Sequence, residues 1–220
     1  MLPWPPAPIA VVCGTCPRSR TDGGFMALTF TTVFGADFER WTDPVARLRI
    51  QVFREFPYLY DGDLDYERRY LEHYQQTAGS VLVLALDQQQ VVGAATALPM
   101  VDADAAFQAP FVDHGRDPGQ IYYFGESVLL PDYRGQGAGH RFFDERERAA
   151  RDQGFATTAF CAVVRPEDHP ARPADYRPLD DFWRKRGYRS YPELRCSFPW
   201  RDLGADRDTA KTMQFWLREW

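Results

Sequence analysis

The sequence predicts an α/β fold, and three observations predict it. Strand-like and helix-like stretches interleave from Leu28 onward, an apolar stock of 45% of the 220 residues suffices for a real core, and a glycine cluster at Gly135, Gly137 and Gly139 marks an abrupt strand-to-helix junction. With 26% charged residues this is the composition of an ordinary globular chain. The formal net charge of −5 argues against a general nucleic-acid binder, which needs a basic surface. No apolar run approaches the roughly 18 residues of a membrane span, so no membrane partner is expected. Four cysteines are too few for a disulfide framework. Cys13 and Cys16 form one CxxC pair, but a structural zinc site needs a second, so no metal is expected and a reducing, cytoplasmic setting is the default.

Taken in order, residues 1–25 are crowded with proline and close on "TDGG", which fits no periodic element. They are expected to be a disordered or non-native extension, with Met26 as an alternative start and residues 26–220 as a single domain. "LTFTTVF" from Leu28 is β-branched and aromatic, hence a strand. Asp43-Pro44 opens a helix with proline just inside, and Val45, Leu48, Val52 and Phe56 recur on one face. A turn at Asp61-Gly62 precedes a second helix. "SVLVLALD" and "QVVGAATALPM" read as a hairpin. The long connection "VDADAAFQAPFVDHGRDPGQ" reads as a loop of the length that functional lids have. "IYYFGESVLL" is the next strand, followed by the glycines and a helix to about Gln153, where Gly154 suits the C-terminus. "FATTAFCAVV" is a strand, "RPEDHPARPADYRP" a proline-rich loop, "LDDFWRKRG" a short helix, and "YRSYPELRCSF" and "KTMQFWLREW" a closing strand pair. Aromatic clusters such as "FREFPYLY" and "FWRKRGY" suit pocket walls as well as core.

The glycines admit several explanations. A dinucleotide fingerprint needs G-x-G-x-x-G, and His140 stands where the last glycine belongs. A Walker loop needs a terminal Gly-Lys-Ser/Thr, which is absent. A tight turn without a ligand needs fewer glycines, each of which weakens a helix by ~1 kcal/mol relative to alanine. An R-x-x-G-x-G loop of Arg134, Gly137 and Gly139 remains: bare amides of residues 135–139 at a helix N-terminus, where a diphosphate fits.

"LLPDYRGQGAG", Leu129 to Gly139, resembles the signature of the GNAT superfamily of acyl-CoA-dependent N-acyltransferases, and the stretch from Phe182 to Tyr188 is similar to a second, weaker family feature. The resemblance covers about residues 28–198. It implies a mixed, mostly antiparallel central sheet with helices on both faces and a splayed strand pair. Acetyl-CoA would then be co-substrate, its diphosphate on Arg134, Gly135, Gln136, Gly137, Ala138 and Gly139. Its pantetheine would lie along the preceding strand, on backbone groups of Ser127, Val128, Leu129 and Leu130, with an amide there polarising the thioester carbonyl.

The acceptor implied is a primary amine, most simply a small molecule, with protein amines still open; a homodimer is allowed. A lysine-type amine has a pKa near 10.4, so a base is needed, and Glu126 on the cleft strand is the first choice, with Tyr122 and Tyr123 as weaker ones. The tyrosine that commonly reprotonates the leaving thiolate in this superfamily is replaced by Trp183, which has no proton to give; Tyr176, Tyr188 or water would substitute. Arg165, Arg172, Asp168 and His169 cluster beyond the next strand, and Asp61, Asp63, Asp65 and Glu67 beside tyrosines suit either a cationic amine or a solvated acidic turn. A non-catalytic acyl-CoA-binding module is the alternative from another class.

Overall fold

A computed structural model describes residues 28–220, so the expectations for residues 1–25, the Cys13–Cys16 pair and Met26 lie outside the described residues. One seven-stranded sheet runs in the order β1-β2-β3-β4-β5-β7-β6. Its strands are β1 (Thr29–Val33), β2 (Val81–Asp87), β3 (Gln90–Pro99), β4 (Ile121–Leu129), β5 (Thr157–Val163), β6 (Arg189–Trp200) and β7 (Thr209–Glu219). Every neighbouring pair is antiparallel except β4 and β5, as expected for a mixed, mostly antiparallel sheet.

The helices are α1 (Glu39–Phe53), α2 (Leu64–Gln76), α3 (Ala105–Asp113), α4 (Ala138–Asp152) and α5 (Asp180–Lys185). They cover both faces. Tyr123 of β4 packs on Phe107 of α3, while its neighbour Phe124 packs on Phe143 of α4, because successive strand residues point to opposite sides. Coverage on both faces explains why β2 and β3 read as near-continuous apolar runs and not as alternating ones.

Two expectations need correction. Helix α1 begins at Glu39, ahead of Pro44, which therefore sits inside the helix, and it ends at Phe53, so Phe56 lies beyond its apolar face. Pro44 lies on the exposed face, where water can take the carbonyl its missing N–H leaves unbonded. The long connection after β3 contains α3, started by Asp104, whose side chain accepts from the Ala106 amide. Phe107 and Phe111, four apart, bury their rings against Phe215 of β7.

Candidate active site

Strand β4 pairs with β5 only over Ile121–Tyr123, against Thr157–Ala159. Beyond this β4 continues to Leu129 and β5 to Val163 without pairing, while β5 stays bonded to β7 along its whole length. A bulge parts them. Ala97 of β3 opposes Phe124 and Ala95 opposes Ser127, so Gly125 and Glu126 together face Thr96. The extra residue bends β4 away. Gly125 is required here, since a Cβ would collide with Tyr74 Oη and Thr96 Oγ1.

The bulge also redirects Glu126. Phe124 points to α4, Gly125 toward α2, and Glu126 again to the α1/α2 face, where it is fully buried. Its Oε1 lies 2.6 Å from Arg49 Nη1, and its Oε2 accepts from Tyr70 Oη at 2.6 Å. Glu67 bonds the same arginine. Burial opposes the Arg49 charge, but the two carboxylates outweigh it and hold the guanidinium charged. Burial also pushes the Glu67 carboxyl up. The expectation of Glu126 as the base thus meets a carboxylate that the bulge turns into the core, where Arg49 and Tyr70 bond it. From the opposite face Arg146 Nη1 donates to the carbonyls of Thr96 (3.2 Å) and Glu126 (3.0 Å), and Nη2 to Ser127 Oγ (2.7 Å). Burial brings the Arg146 pKa down to about 10, still charged at neutral pH.

The parted strands leave an open backbone edge. The Leu130 amide donates to Val92 of β3, so Leu129, one residue back, turns its own N–H and C=O toward the gap, and by alternation Ser127 does so too. Beyond the strand lies the glycine loop. Gly135 and Gly137 have φ of +75° and +85°, a conformation that side chains disfavour, and a Cβ on either would enter open space. Gly137 is the N-cap of α4 and supplies no side-chain cap. Among the described residues the amides of Gly135, Gln136, Gly137, Ala138 and Gly139 donate to no partner, and the loop is exposed apart from Ala138 and the half-buried Gly139. Unbonded amides, a helix N-terminus and a space only glycine leaves clear together fit a diphosphate.

Arg134 does something else. Its amide donates to Pro131, and its nearly buried guanidinium forks onto Glu55 (2.8 and 3.0 Å) while Nε and Nη2 donate to the Leu129 carbonyl (3.2 and 3.1 Å). The expectation that it contacts coenzyme thus meets a guanidinium already engaged by Glu55 and Leu129, which braces the loop from behind.

On the β5 side of the gap lies a cleft of about 660 Å³ lined by Glu55 to Tyr58, Pro131, Arg134, Ala162 to Arg165, Ala171 to Pro173, Asp175 to Asp180, Trp183, Gln214 and Trp216. Tyr176 lies in this wall, edge-on to Phe56 at 4.7 Å, with Arg172 over its ring at 5.1 Å. Burial raises the phenol's pKa, so it keeps its proton at neutral pH. Trp183 also lines the cleft, braced by Phe160 and Trp216 at 5.0 Å each, its indole N–H without a partner.

The other candidates stand elsewhere. Tyr188 is in the core, bonded to Thr158 and Glu147; Tyr122 donates to the Gly79 carbonyl, and Tyr123 meets Cys161. The acidic stretch is spent structurally: Asp61 pairs with Arg54 and Arg201, Asp63 caps α2, Asp65 pairs with Arg68, and Glu67 is the buried partner of Arg49. His169 packs on Phe56 at 5.6 Å and accepts from the Ala171 amide. Glu55 and Asp202 were not legible, since nothing local marks their tertiary arginine partners. Among the described residues no cluster of His, Cys, Asp or Glu is arranged to hold a metal, and no helix is long and apolar enough to cross a membrane.

Solved structures share this architecture at low identity. A ribosomal-protein-alanine N-acetyltransferase from Brucella melitensis aligns at 14% identity and TM-score 0.57, covering 88% of this chain and 100% of its own. An aminoglycoside 6'-N-acetyltransferase complexed with coenzyme A gives 15% and 0.56, over 87% and 96%. The Salmonella typhimurium protein yncA, solved with its cofactor acetyl-CoA, gives 12% and 0.55, over 87% and 94%. No curated protein matches by sequence. The sequence model of the Acetyltransferase (GNAT) family, however, matches residues 47–188. A match over more than half of the chain decides the kinship: this protein is a member of the Acetyltransferase (GNAT) family, and hence an acyltransferase.

Proposed function

We propose that the protein moves an acetyl group from acetyl-CoA to the nitrogen of a small primary amine in the cytoplasm. The observation that carries this reading is the run of unbonded amides at residues 135–139, continuous with the open edge of β4. Gly135, Gln136, Gly137, Ala138 and Gly139 hold the diphosphate, and Val128, Leu129 and Leu130 carry the pantetheine on their strand, the backbone of Ser127 and the amide of Leu129 making the bonds, since the Leu129 carbonyl is taken by Arg134. An amide of that edge polarises the thioester carbonyl. The amine nitrogen forms the new bond to the carbonyl carbon as the carbon–sulfur bond breaks. With Glu126 turned inward, the amine's proton leaves to cleft water, and Tyr176 returns one to sulfur.

The first test is ligand-induced stabilisation. Acetyl-CoA at 100 times its Kd should raise stability by about 2.7 kcal/mol, roughly 5–10 °C in Tm, whereas NAD and ATP should not. Thiol release with a panel of amines then follows turnover; none across the panel, despite tight coenzyme binding, would refute the transfer. Tyr176→Phe should lower kcat by about 100-fold with acetyl-CoA affinity unchanged, measured by the same thiol assay and by calorimetry. A wild-type kcat would remove Tyr176 from the chemistry.

A further inference from the structure

We propose that residues 55–58 form a strap clamped across the cleft mouth by one arginine from each parting strand, and that this clamp positions Tyr176 and sets which acceptors enter. The inference rests on the amine-acetylation reading for its kinetic consequences. Arg134 follows β4 and Arg165 follows β5, so the two clamps stand on opposite sides of the gap. Arg134 takes the Glu55 carboxylate with both terminal nitrogens, and its Nη2 at the same time holds the Leu129 carbonyl on the open strand edge. Arg165 donates from Nε to the Pro57 carbonyl and from Nη2 to the Tyr58 carbonyl, both at 2.8 Å.

Arg165 is itself fixed. Asp202, in the turn between β6 and β7, accepts from its Nη1 and Nη2 at 3.0 and 2.9 Å, and Lys211 Nζ lies 3.1 Å from the same carboxylate. Trp200 Nε1 adds a third donor to the strap, at the Tyr58 carbonyl. Arg165 makes four bonds to two carbonyls and a carboxylate from one planar fork, one more than the three N–H groups of an ammonium can supply. Between the clamps sits Phe56, 7% exposed, whose ring meets Tyr176 edge-on. The strap is therefore tied through Arg134 to the edge where the thioester is expected, touches the phenol expected to protonate sulfur, and forms part of the cleft wall.

Glu55→Gln and Asp202→Asn each weaken one clamp, and in Glu55→Gln the two bonds from Arg134 to the Leu129 carbonyl still brace the glycine loop. Both should keep acetyl-CoA affinity within about twofold of wild type and raise the amine KM about tenfold, with kcat falling less. Hydrogen exchange at the amides of residues 56–60 and 174–178 should quicken in both variants, a readout that needs no acceptor. Arg165→Lys should behave like Asp202→Asn, since a lysine restores the charge without the fork. A structural role alone would lower Tm and leave the KM-to-kcat balance and this local exchange as in wild type. Unchanged exchange in both folded variants overturns the strap, whatever the turnover. Faster exchange in a protein that binds no acetyl-CoA upholds the strap and overturns the acetylation reading instead.

Discussion

Valine at position 137 should abolish measurable acetyl-CoA binding in a chain that still folds. Gly137 has φ of +85°, and an L side chain in that region costs about 1–2 kcal/mol, more for a β-branched one. That loss is a few degrees in Tm for a chain of this size, and it is survivable. The functional loss is larger. A Cβ at this position has nothing within 4 Å of it, so the new side chain would project into the open space beside the loop, where the diphosphate is proposed to lie. Each hydrogen bond to a charged group contributes about 1.5–3 kcal/mol, so losing two of them weakens binding by at least about 100-fold. Gly154→Val is the matched control. Its φ is +84° and its Cβ also meets nothing, but it lies past the other end of α4. It should show a similar fall in Tm and wild-type affinity by calorimetry. Equal affinities for the two variants would remove the glycine loop from the coenzyme site.

What was legible in the sequence were features written in consecutive residues. The β2–β3 hairpin was readable because its apolar runs flank a short polar turn, and α4 because a proline and two glycines interrupt the chain just before it and a third lies in its first turn. Helix α3 was hidden: Pro110 lies within it, and its apolar residues do not fall on one clean stripe. The pocket walls were foreshadowed by "FREFPYLY", since Phe56 and Tyr58 do line the cleft. The facing of Glu126 was not, because a bulge depends on which residue of the partner strand lies opposite. The clamps were not either. Arg134 and Glu55 are 79 residues apart and Arg165 and Asp202 37, and an ion pair at such separation leaves no periodic trace.

Glu126→Gln separates the two roles a carboxylate on β4 can have. If the carboxylate were the base that takes the amine's proton, turnover would drop by about 100-fold or more with stability nearly intact. The geometry predicts the reverse. Arg49, Glu67, Glu126 and Arg146 are all buried, two cations against two anions, and Glu126 is bonded from both α1 and α2. Removing one charge leaves a buried guanidinium in excess, and breaking such a pair costs about 3 kcal/mol or more. That corresponds to a fall in Tm of roughly 6–12 °C for a chain of this length, read by calorimetry. Below the lowered transition, where the bulge still holds through Arg146, acetyl-CoA affinity should stay close to wild type and kcat should fall less than tenfold. On this prediction the carboxylate acts through the shape of β4, anchoring the bulge at which this strand parts from β5. An unchanged Tm with kcat reduced a hundredfold would return Glu126 to the role of base and require the strand to turn it toward the cleft during turnover.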